Sequence, residues 1–298
     1  MKKCIRIGSR ESKLAVTQAE IVKETIRKNC PDLEVEIITM KTTGDIILDK
    51  SLELIGGKGL FVKELDIALR EERIDISVHS LKDMPMEADD EFPVFAYTKR
   101  EDPRDVLIYK PGKSEIPMNG VIATSSRRRT IQMRKLYPAC EFIGMRGNVQ
   151  TRLRKLSEHP IDGTVLAAAG LNRLHLESVI GRIFTVDEVV PAAGQGILAV
   201  QGSKTMKHLL GECLNVPESE AAALAERQFV SELDGGCTSP IAAHAKVEGQ
   251  SIILTGLYYR ETDDTYYVER RAGELKDAKK LGTQLAKEMR RNYEQSSE

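Results

Sequence analysis

Hydrophobic and polar positions follow two rhythms along the first two thirds of the chain. Short apolar runs rich in valine and isoleucine, typical of buried strands, alternate with longer segments in which apolar residues recur every three or four positions, as in amphipathic helices. In the segment that begins at Lys58, for example, Phe61, Leu65, Ala68 and Leu69 fall on one helical face. This alternation predicts open α/β sheets that are doubly wound, with helices on both faces.

The pattern begins again after Asp102-Pro103-Arg104, so it predicts two successive α/β halves. The predicted strands are Cys4–Ile7, Val35–Met40, Ile74–His79, Val121–Ala123, Glu141–Ile143 and Gly163–Ala167. The predicted helices are Lys13–Lys28, Lys58–Glu72, Arg127–Leu136 and Val149–Ser157.

The last eighty residues have a different pattern. A helix over Glu218–Glu232 comes first, and a charged helix over Leu275–Arg291 ends the region. Three strand candidates lie between them: Ala242–Val247, Ser251–Tyr258 and Thr265–Arg271. The region therefore predicts an α+β unit with a three-stranded antiparallel sheet.

The chain is nearly neutral as a whole, but one region of it is strongly basic. The chain has 298 residues, enough for two or three domains, and a formal net charge of -1. Residues 99–155, however, contain 14 Lys and Arg against 5 Asp and Glu. Such a bias indicates an anionic ligand, although a solvated basic face is the plainer alternative. Nucleic acid fits poorly because the chain has no Trp and no recognisable nucleic-acid motif, so a small anion or a ligand with several carboxylates is favoured.

The cysteines give information about the compartment and about metal sites. The five of them are widely spaced and include no Cys-x-x-Cys pair, which argues against a disulfide framework and against zinc. We therefore expect no metal site. Because no apolar signal region and no membrane-length segment occur, we also expect a reduced, cytoplasmic protein that works without a membrane.

One cysteine lies in an unusual context, the segment Leu233–Pro240. Gly235 and Gly236 permit backbone angles closed to other residues, and Pro240 stiffens the exit, so the thiol of Cys237 is presented on a tight loop. A catalytic nucleophile of the Cys–His type would explain this, with His79 or His244 as its base. The sequence offers no geometry that joins either histidine to the thiol, so this reading stays open.

Polar side chains collect where predicted strands end, which is where open α/β sheets bind ligands. Small hydroxyls with free backbone N–H groups, and arginines with bidentate geometry, form cradles for carboxylate or phosphate. The residues concerned are Ser80, Lys82, Thr124, Ser126, Arg127, Arg128, Arg129, Arg146, Gly147 and Arg152. Helix capping by Thr124 to Ser126 is the structural alternative, but capping does not explain three successive arginines.

Two glycine-containing segments resemble nucleotide-binding motifs only superficially. Gly56–Leu65 lacks the Gly-Lys-Ser/Thr order of a phosphate loop, so Lys58 is as compatible with a helix start as with an anion contact. Gly194-Gln195-Gly196 is too short to count as a dinucleotide fingerprint.

Read together, six motifs in sequence order resemble the porphobilinogen deaminase family of tetrapyrrole biosynthesis. They are Gly56–Leu65, Val78–Pro85, Arg100–Asp105, Arg146–Asn148, Pro191–Gly196 and Leu233–Pro240. The resemblance runs from about Ile5 to near the C-terminus.

The resemblance implies a fold of three domains. Two lobes similar to those of periplasmic binding proteins would comprise residues 1–98 with 195–214, and residues 99–194, with the active site in the cleft between them. A third domain, residues 215–298, would carry the cysteine. We expect a monomer, with porphobilinogen as its small-molecule substrate.

The resemblance also implies the chemistry. Cys237 would hold a dipyrromethane cofactor by a thioether, four porphobilinogen units would add head to tail with loss of ammonia, and hydrolysis would release hydroxymethylbilane. Asp83 would stabilise the cationic azafulvene that the loss of ammonia generates. The residues implied to bind the cofactor, besides Cys237 and Asp83, are Lys82, Ser80, Thr124, Ser126, Arg128, Arg129, Arg146 and Gly147. Those implied to bind the substrate are Arg10, Arg152, Arg173, Gln195 and Lys58.

Two positions depart from the family pattern. Arg127 stands where leucine is usual, so its role is open, and Leu54 stands where some members carry a second lysine. Two rival functions also remain: a two-lobed carboxylate-binding protein without catalysis, and a thiol enzyme of the acyl-transfer type. The first leaves Cys237 and Asp83 without a task, and the second needs a histidine beside Cys237.

Overall fold

The computed structural model of the chain describes residues 4–42, 62–87, 89–235 and 239–294. Its contacts divide the chain into two compact units, which are described separately. Unit 1 comprises Met1–Glu101 and Ile197–Glu220, and unit 2 comprises Asp102–Gly196 and Ala221–Glu298. The division into three domains stays a prediction.

The described strands, in chain order, are β1 (Cys4–Arg10), β2 (Glu34–Met40), β3 (Ile76–Ser80), β4 (Val94–Tyr97), β5 (Asp105–Tyr109), β6 (Val121–Ala123), β7 (Glu141–Ile143), β8 (Gly163–Ala167), β9 (Arg182–Ile183), β10 (Leu198–Gly202), β11 (Ala242–Glu248), β12 (Ser251–Arg260) and β13 (Thr265–Glu274). The described α-helices are α1 (Lys13–Asn29), α2 (Lys63–Arg70), α3 (Arg127–Leu136), α4 (Val149–Glu158), α5 (Ala168–Arg173), α6 (Lys204–Leu214), α7 (Pro217–Glu232) and α8 (Ala278–Glu294).

Unit 1 is built on a five-stranded mixed sheet with the order β2-β1-β3-β10-β4. Strands β1, β2 and β3 run parallel, whereas β10 pairs antiparallel with both β3 and β4. The late strand β10 thus enters the sheet between two strands from the first hundred residues. The carboxyl ends of the three parallel strands meet at one edge, which carries Arg10 and Ser80.

Helices cover both faces of this sheet. Helix α1 begins at Ser12, whose side chain accepts a hydrogen bond from the backbone N–H of Ala15, and it ends with two basic residues in its last turn. Its apolar stripe packs with α6 on strand residues such as Ile7 and Val78. On the opposite face Leu65 of α2 lies near Gly8, where a Cβ would come within 2.9 Å of the leucine. The sheet is therefore doubly wound, as predicted.

Unit 2 repeats this plan. Its first sheet has the order β7-β6-β8-β5-β9, in which β6, β7 and β8 run parallel and β5 pairs antiparallel with β8 and β9. In both sheets an antiparallel strand therefore occupies the fourth place. Helices α3 and α4 begin at Ser126 and Asn148, which cap them by accepting backbone N–H groups.

The C-terminal part of unit 2 is the predicted antiparallel sheet, with the order β11-β12-β13. Helices α7 and α8 approach each other very closely. A Cβ on Gly282 of α8 would lie 2.4 Å from the backbone oxygen of Ala225 in α7. Glycine at this position is what permits the contact.

The pattern of the sequence identified most elements of the fold and missed several. The mixed α/β class and the three-stranded antiparallel sheet are confirmed. Strand β1 continues three residues beyond the predicted Cys4–Ile7, through Arg10. The predicted helix Lys58–Glu72 is described only from Lys63, since residues 58–61 lie outside the described residues. The elements that the pattern did not predict are β4, β5, β9, β10, α5 and α6.

The close contact at Gly282 predicts that even the methyl group of alanine would destabilise the protein at this position. In Gly282→Ala the added methyl group meets backbone atoms that cannot rotate away, so we expect the free energy of unfolding to fall by about 1–3 kcal/mol. Gly211→Ala in α6 is the matched control, because a Cβ there would lie 3.8 Å from the side chain of Lys207, an ordinary contact distance. The free energy of unfolding of that variant should rise by roughly 0.5–1 kcal/mol. Chemical denaturation of both measures the difference, and equal stability would contradict the assignment.

Candidate functional site

The arginine-rich sheet of unit 2 contains a buried ionic cluster. The carboxylate of Asp105, the first residue of β5, is fully buried. Arg128 Nη1 donates to its Oδ2 at 2.7 Å, and Arg129 donates to its Oδ1 from Nη2 at 2.7 Å and from Nε at 3.1 Å. Both guanidinium groups are also buried. One carboxylate thus receives the two arginines that begin α3.

Electrostatics keep this carboxylate ionised. Burial alone raises the pKa of a carboxyl group, but the charges and hydrogen bonds of Arg128 and Arg129 outweigh it and hold the pKa of Asp105 well below its usual range. Burial in turn lowers the pKa of Arg128, which Asp105 partly offsets. The cluster therefore exists as one anion and two cations.

Backbone groups and amides complete the cluster. Arg128 Nη1 also donates to the carbonyl oxygen of Val190 at 2.7 Å, and Arg129 Nη1 donates to that of Val165 at 2.9 Å. Gln195 is fully buried, and its Nε2 donates to Asp105 Oδ1 at 3.0 Å and to the carbonyl oxygen of Pro103 at 2.7 Å. The predicted substrate contact of Gln195 stays a prediction, and the structure places its amide in this buried network.

The two arginines differ in how many of their guanidinium nitrogens take part in these hydrogen bonds. The bonds of Arg129 engage all three of its guanidinium nitrogens. The bonds of Arg128 engage Nη1 alone. Because a guanidinium has five N–H donors, Arg128 retains more capacity to bind a further carboxylate.

The hydroxyls that precede α3 act as caps. Thr124 Oγ1 accepts from the backbone N–H of Ser126 at 3.2 Å, and Ser126 Oγ accepts from that of Arg129 at 3.4 Å. The capping alternative is therefore present in the structure. Neither bond uses the hydroxyl proton, so each side chain can still donate to an anion.

Four further predicted residues lie around the starts and ends of helices in unit 2. Gly147 has a φ of +125°, and a Cβ there would lie 2.6 Å from Thr151 Cγ2, so this position requires glycine. Arg152 is half-buried, and its Nε donates to the carbonyl oxygen of Gly147 at 2.8 Å. Arg146, immediately before Gly147, is half-buried as well. Arg173 ends α5 and donates to the carbonyl oxygen of Gly196 at 2.7 Å.

In unit 1 the predicted residues follow the end of β3. Ser80 ends the strand, and its Oγ accepts from Gln18 Nε2 at 2.9 Å. A 3₁₀ turn over Leu81–Asp83 comes next and carries Lys82, which is half-buried, and Asp83, which is exposed. The carboxylate of Asp83 has no ion-pair partner among the residues that the structure describes. Arg10 ends β1 at the same edge of this sheet.

The structure answers the question about Arg127. Its guanidinium lies 3.7 Å from the carboxylate of Glu261 and 5.7 Å from the centre of the Tyr259 ring. Arg127 therefore contacts the C-terminal sheet, whereas its two neighbours turn into the ionic cluster. At this position, where the family usually has leucine, the arginine makes its contacts within unit 2.

The two histidines proposed as bases for a thiol both have other partners. His79 Nε2 lies within hydrogen-bond distance of Ser77 and Gln201. His244 Nδ1 lies 3.7 Å from the buried carboxylate of Glu226, which accepts from the backbone N–H groups of Gly194 and Ala245. These contacts favour structural roles for both histidines.

Two predicted residues cannot be placed. Cys237 and Lys58 lie outside the described residues, as does Gly236. Within the described ranges there is no group of three His, Cys, Asp or Glu side chains that could hold a metal ion. No helix in those ranges is long and apolar enough to cross a membrane.

Asp105 is the residue that the sequence analysis missed. It was part of the Arg100–Asp105 motif but received no role. The available signal was its position, since an acid begins the otherwise apolar run Asp105–Tyr109. A carboxylate at the end of a buried strand requires a cationic partner.

Together, the fold and these side chains define a class: an α/β protein with cationic and hydroxyl donors at its strand ends, suited to an anion that bears carboxylates. Comparison with known proteins then identifies the family. Residues 5–210 match the family model described as "Porphobilinogen deaminase, dipyromethane cofactor binding domain", and residues 221–291 match "Porphobilinogen deaminase, C-terminal domain". The chain belongs to the porphobilinogen deaminase family, which confirms the predicted enzyme and its dipyrromethane cofactor.

Curated relatives agree over nearly the full length. The porphobilinogen deaminase of Acetivibrio thermocellus is 52% identical over 96% of this chain and 97% of its own. That of Ruminiclostridium josui is 52% identical over 97% of this chain and 98% of its own. Among solved structures, the periplasmic aliphatic sulphonate binding protein of Escherichia coli is 10% identical, with a TM-score of 0.41 over 75% of this chain and 69% of its own.

The ionic cluster generates a prediction about stability. Asp105→Asn keeps the shape of the side chain but leaves two buried guanidinium groups without their counterion, so we expect a loss of about 3–5 kcal/mol in the free energy of unfolding. The control is Asp102→Asn, which breaks a more exposed pair with Arg104 and should cost at most about 1 kcal/mol. Denaturant titration compares the two variants. Similar losses would show that the buried cluster is not the stabilising element.

Proposed function

We propose that this chain joins four porphobilinogen units head to tail, with loss of ammonia, on a dipyrromethane primer attached to Cys237, and releases hydroxymethylbilane by hydrolysis. The observation that carries the proposal is the exposed carboxylate of Asp83 on the turn after β3, next to Lys82, in a chain of this family. When bound, the primer supplies the growing end to which each new unit is joined.

The donor set fits this cofactor. Each pyrrole ring of the primer and of the substrate bears an acetate and a propionate, so the ligand needs several cationic or hydroxyl partners. Lys82, Arg146 and Arg152 are half-buried, which leaves part of each side chain accessible while its stem is held. We assign Ser80, Lys82, Thr124, Ser126, Arg128, Arg129, Arg146 and Gly147 to the primer. Arg10, Arg152, Arg173, Gln195 and Lys58 are assigned to the substrate.

The ionic cluster refines two of these assignments. Arg128 has unused donors and is the better candidate for a direct bond to a carboxylate of the primer. Arg129 gives all three nitrogens to Asp105 and Val165, so its contribution is mainly to hold the start of α3 in place. Gln195 also donates to the carboxylate of Asp105, at the oxygen that Arg129 contacts.

Asp83 is the catalytic residue of the proposal. Loss of ammonia leaves a cation on the substrate, and a carboxylate fixed next to that position stabilises the charge as it develops. The short 3₁₀ turn gives Asp83 a defined position, because the backbone N–H of Leu81 donates to Ile197 at 3.0 Å and that of Met84 donates to Leu81 at 3.1 Å. The carboxylate is thus exposed on a turn whose first residue bonds to Ile197 and whose own closing bond joins Met84 to Leu81.

We also propose that the protein acts as a cytoplasmic monomer, without nucleic acid or membrane partners. The family supports porphobilinogen as its substrate. The near balance of 44 basic and 45 acidic residues supports the lack of a polyelectrolyte partner.

Attachment of the primer is directly measurable. We expect the intact mass of the purified protein to exceed the sequence mass by one dipyrromethane, and this excess to be absent in Cys237→Ser. Cys140→Ser is the control, because Cys140 is a half-buried free thiol elsewhere in the chain and should retain the excess. Active protein of unmodified mass would refute the proposed attachment.

The role of Asp83 predicts a graded loss of turnover. Asp83→Glu displaces the carboxylate by about 1 Å and should cost roughly a hundredfold in kcat, while Asp83→Asn should cost more because the charge is lost. Both variants should retain the primer by mass. Asp90→Asn, at another exposed carboxylate of unit 1, should turn over normally. Near-normal kcat in Asp83→Asn would remove Asp83 from the mechanism.

A further inference from the structure

A chain of buried polar groups crosses the α2 face of the unit 1 sheet. Ser77 and His79 project to one side of β3, and Gln201 of the neighbouring β10 pairs with Ser77 in register. All three are buried. His79 Nε2 lies 2.8 Å from Ser77 Oγ and 3.0 Å from Gln201 Oε1, and Ser77 Oγ donates to Gln201 Oε1 at 3.1 Å. The chain ends on α2, where Gln201 Nε2 donates to Asp66 Oδ1 at 3.1 Å.

The direction of these bonds follows from the chemistry of their ends. An ionised carboxylate only accepts hydrogen bonds, so Asp66 requires the NH₂ group of the Gln201 amide. The amide oxygen of Gln201 must then face β3. Because that oxygen has no hydrogen, its contact with His79 requires a proton on Nε2 of the imidazole. The orientation that Asp66 gives to the Gln201 amide therefore favours a proton on Nε2 of His79.

The surroundings also determine the charge of His79. Burial disfavours the imidazolium, and the nearby positive charge of Arg10 on β1 acts in the same direction. The bond to Gln201 raises the pKa but offsets these effects only partly, so the pKa of His79 falls to about 4. Asp66, the acidic group at the other end of the chain, reaches His79 only through the amide. With Nε2 protonated and the ring neutral, Nδ1 carries a lone pair.

We propose that Asp66 and Gln201 fix His79 as the tautomer with its proton on Nε2, and that His79 so fixed is a positioning residue for the reactive turn. His79 is four residues before Asp83, and Leu81 N–H bonds to Ile197, the residue immediately before β10. The end of β3 that leads into the turn is held by its backbone pairing with β10, by the bond from Leu81 to Ile197 and by the side-chain contact of His79 with Gln201. Rotation of the amide or of the imidazole would remove the side-chain contact. This functional part rests on the proposed role of Asp83.

The experiment reads the tautomer directly. Side-chain ¹⁵N–¹H correlation spectra of the ¹⁵N-histidine-labelled holoprotein distinguish the two neutral tautomers from the imidazolium, and a His79→Gln variant assigns the signal. We expect His79 in the wild type to be neutral with its proton on Nε2, and not to titrate between pH 5 and pH 8. A proton on Nδ1, or an imidazolium at neutral pH, would overturn the proposal.

The variant Asp66→Asn tests what fixes the tautomer. Asparagine can donate as well as accept, so the Gln201 amide can turn over and the His79 signal should become a mixture of tautomers. The kcat for porphobilinogen should fall roughly tenfold or more with little change in KM, while the primer stays attached by mass. Glu71→Gln neutralises an exposed carboxylate at the end of the same helix and should change neither readout.

The outcomes separate this inference from the proposed function. A single Nε2 tautomer in Asp66→Asn would overturn the role of Asp66, and a mixed tautomer with unchanged kcat would overturn the positioning role of His79. The wild-type spectrum requires no substrate. If the wild type fails to consume porphobilinogen, the proposed function fails while the assignment of the tautomer is still tested.

Discussion

The buried carboxylate of Asp105 constrains more of unit 2 than any other single group described above. A fully buried charge is tolerated only when opposite charges and hydrogen bonds compensate for lost hydration. Here the compensation comes from the first turn of α3 and from Gln195, near the end of the unit's first segment. Strand β5, helix α3 and the segment around Val190 must therefore adopt one arrangement together. The positions of Thr124 and Ser126, which cap that helix, follow from it.

The charge balance of this cluster also bears on ligand binding. One carboxylate and two guanidinium groups leave one net positive charge, which is compatible with the proposed binding of an anion. Arg128 is the member with spare N–H donors. A structural role and a binding role are therefore compatible in the same pair of arginines. In the proposed assignment, Arg129 has the structural role because it commits all three nitrogens, and Arg128 has the binding role because it commits one.

The sequence predicted the fold class and the location of the polar residues because both depend on local patterns. Strand ends are visible as the limits of apolar runs, and ligand-binding residues of α/β sheets collect there. The antiparallel strands β5 and β10 gain their places by pairing with strands distant in sequence, which a local pattern does not show. The partner of Arg128 was missed for the same reason, since Asp105 is 23 residues away. Cys237 and Lys58 rest on the family motifs alone.

The two sheets use their fourth strands in related ways. Each of these strands carries one polar residue in an otherwise apolar or small run: Asp105 in β5 and Gln201 in β10. In unit 2 that residue is Asp105, an anion that pairs with two cations, so the cluster has one net positive charge. In unit 1 it is a neutral amide that holds a neutral imidazole, so no buried charge is added beside the strand that leads to Asp83. A carboxylate that must stabilise a developing cation is most effective when no new cation lies behind it, because nearby positive charge weakens its field. The neutral network of unit 1 therefore adds no positive charge beside the strand that leads to Asp83, whereas the charged cluster of unit 2 keeps a net positive charge, which suits the proposed binding of carboxylates.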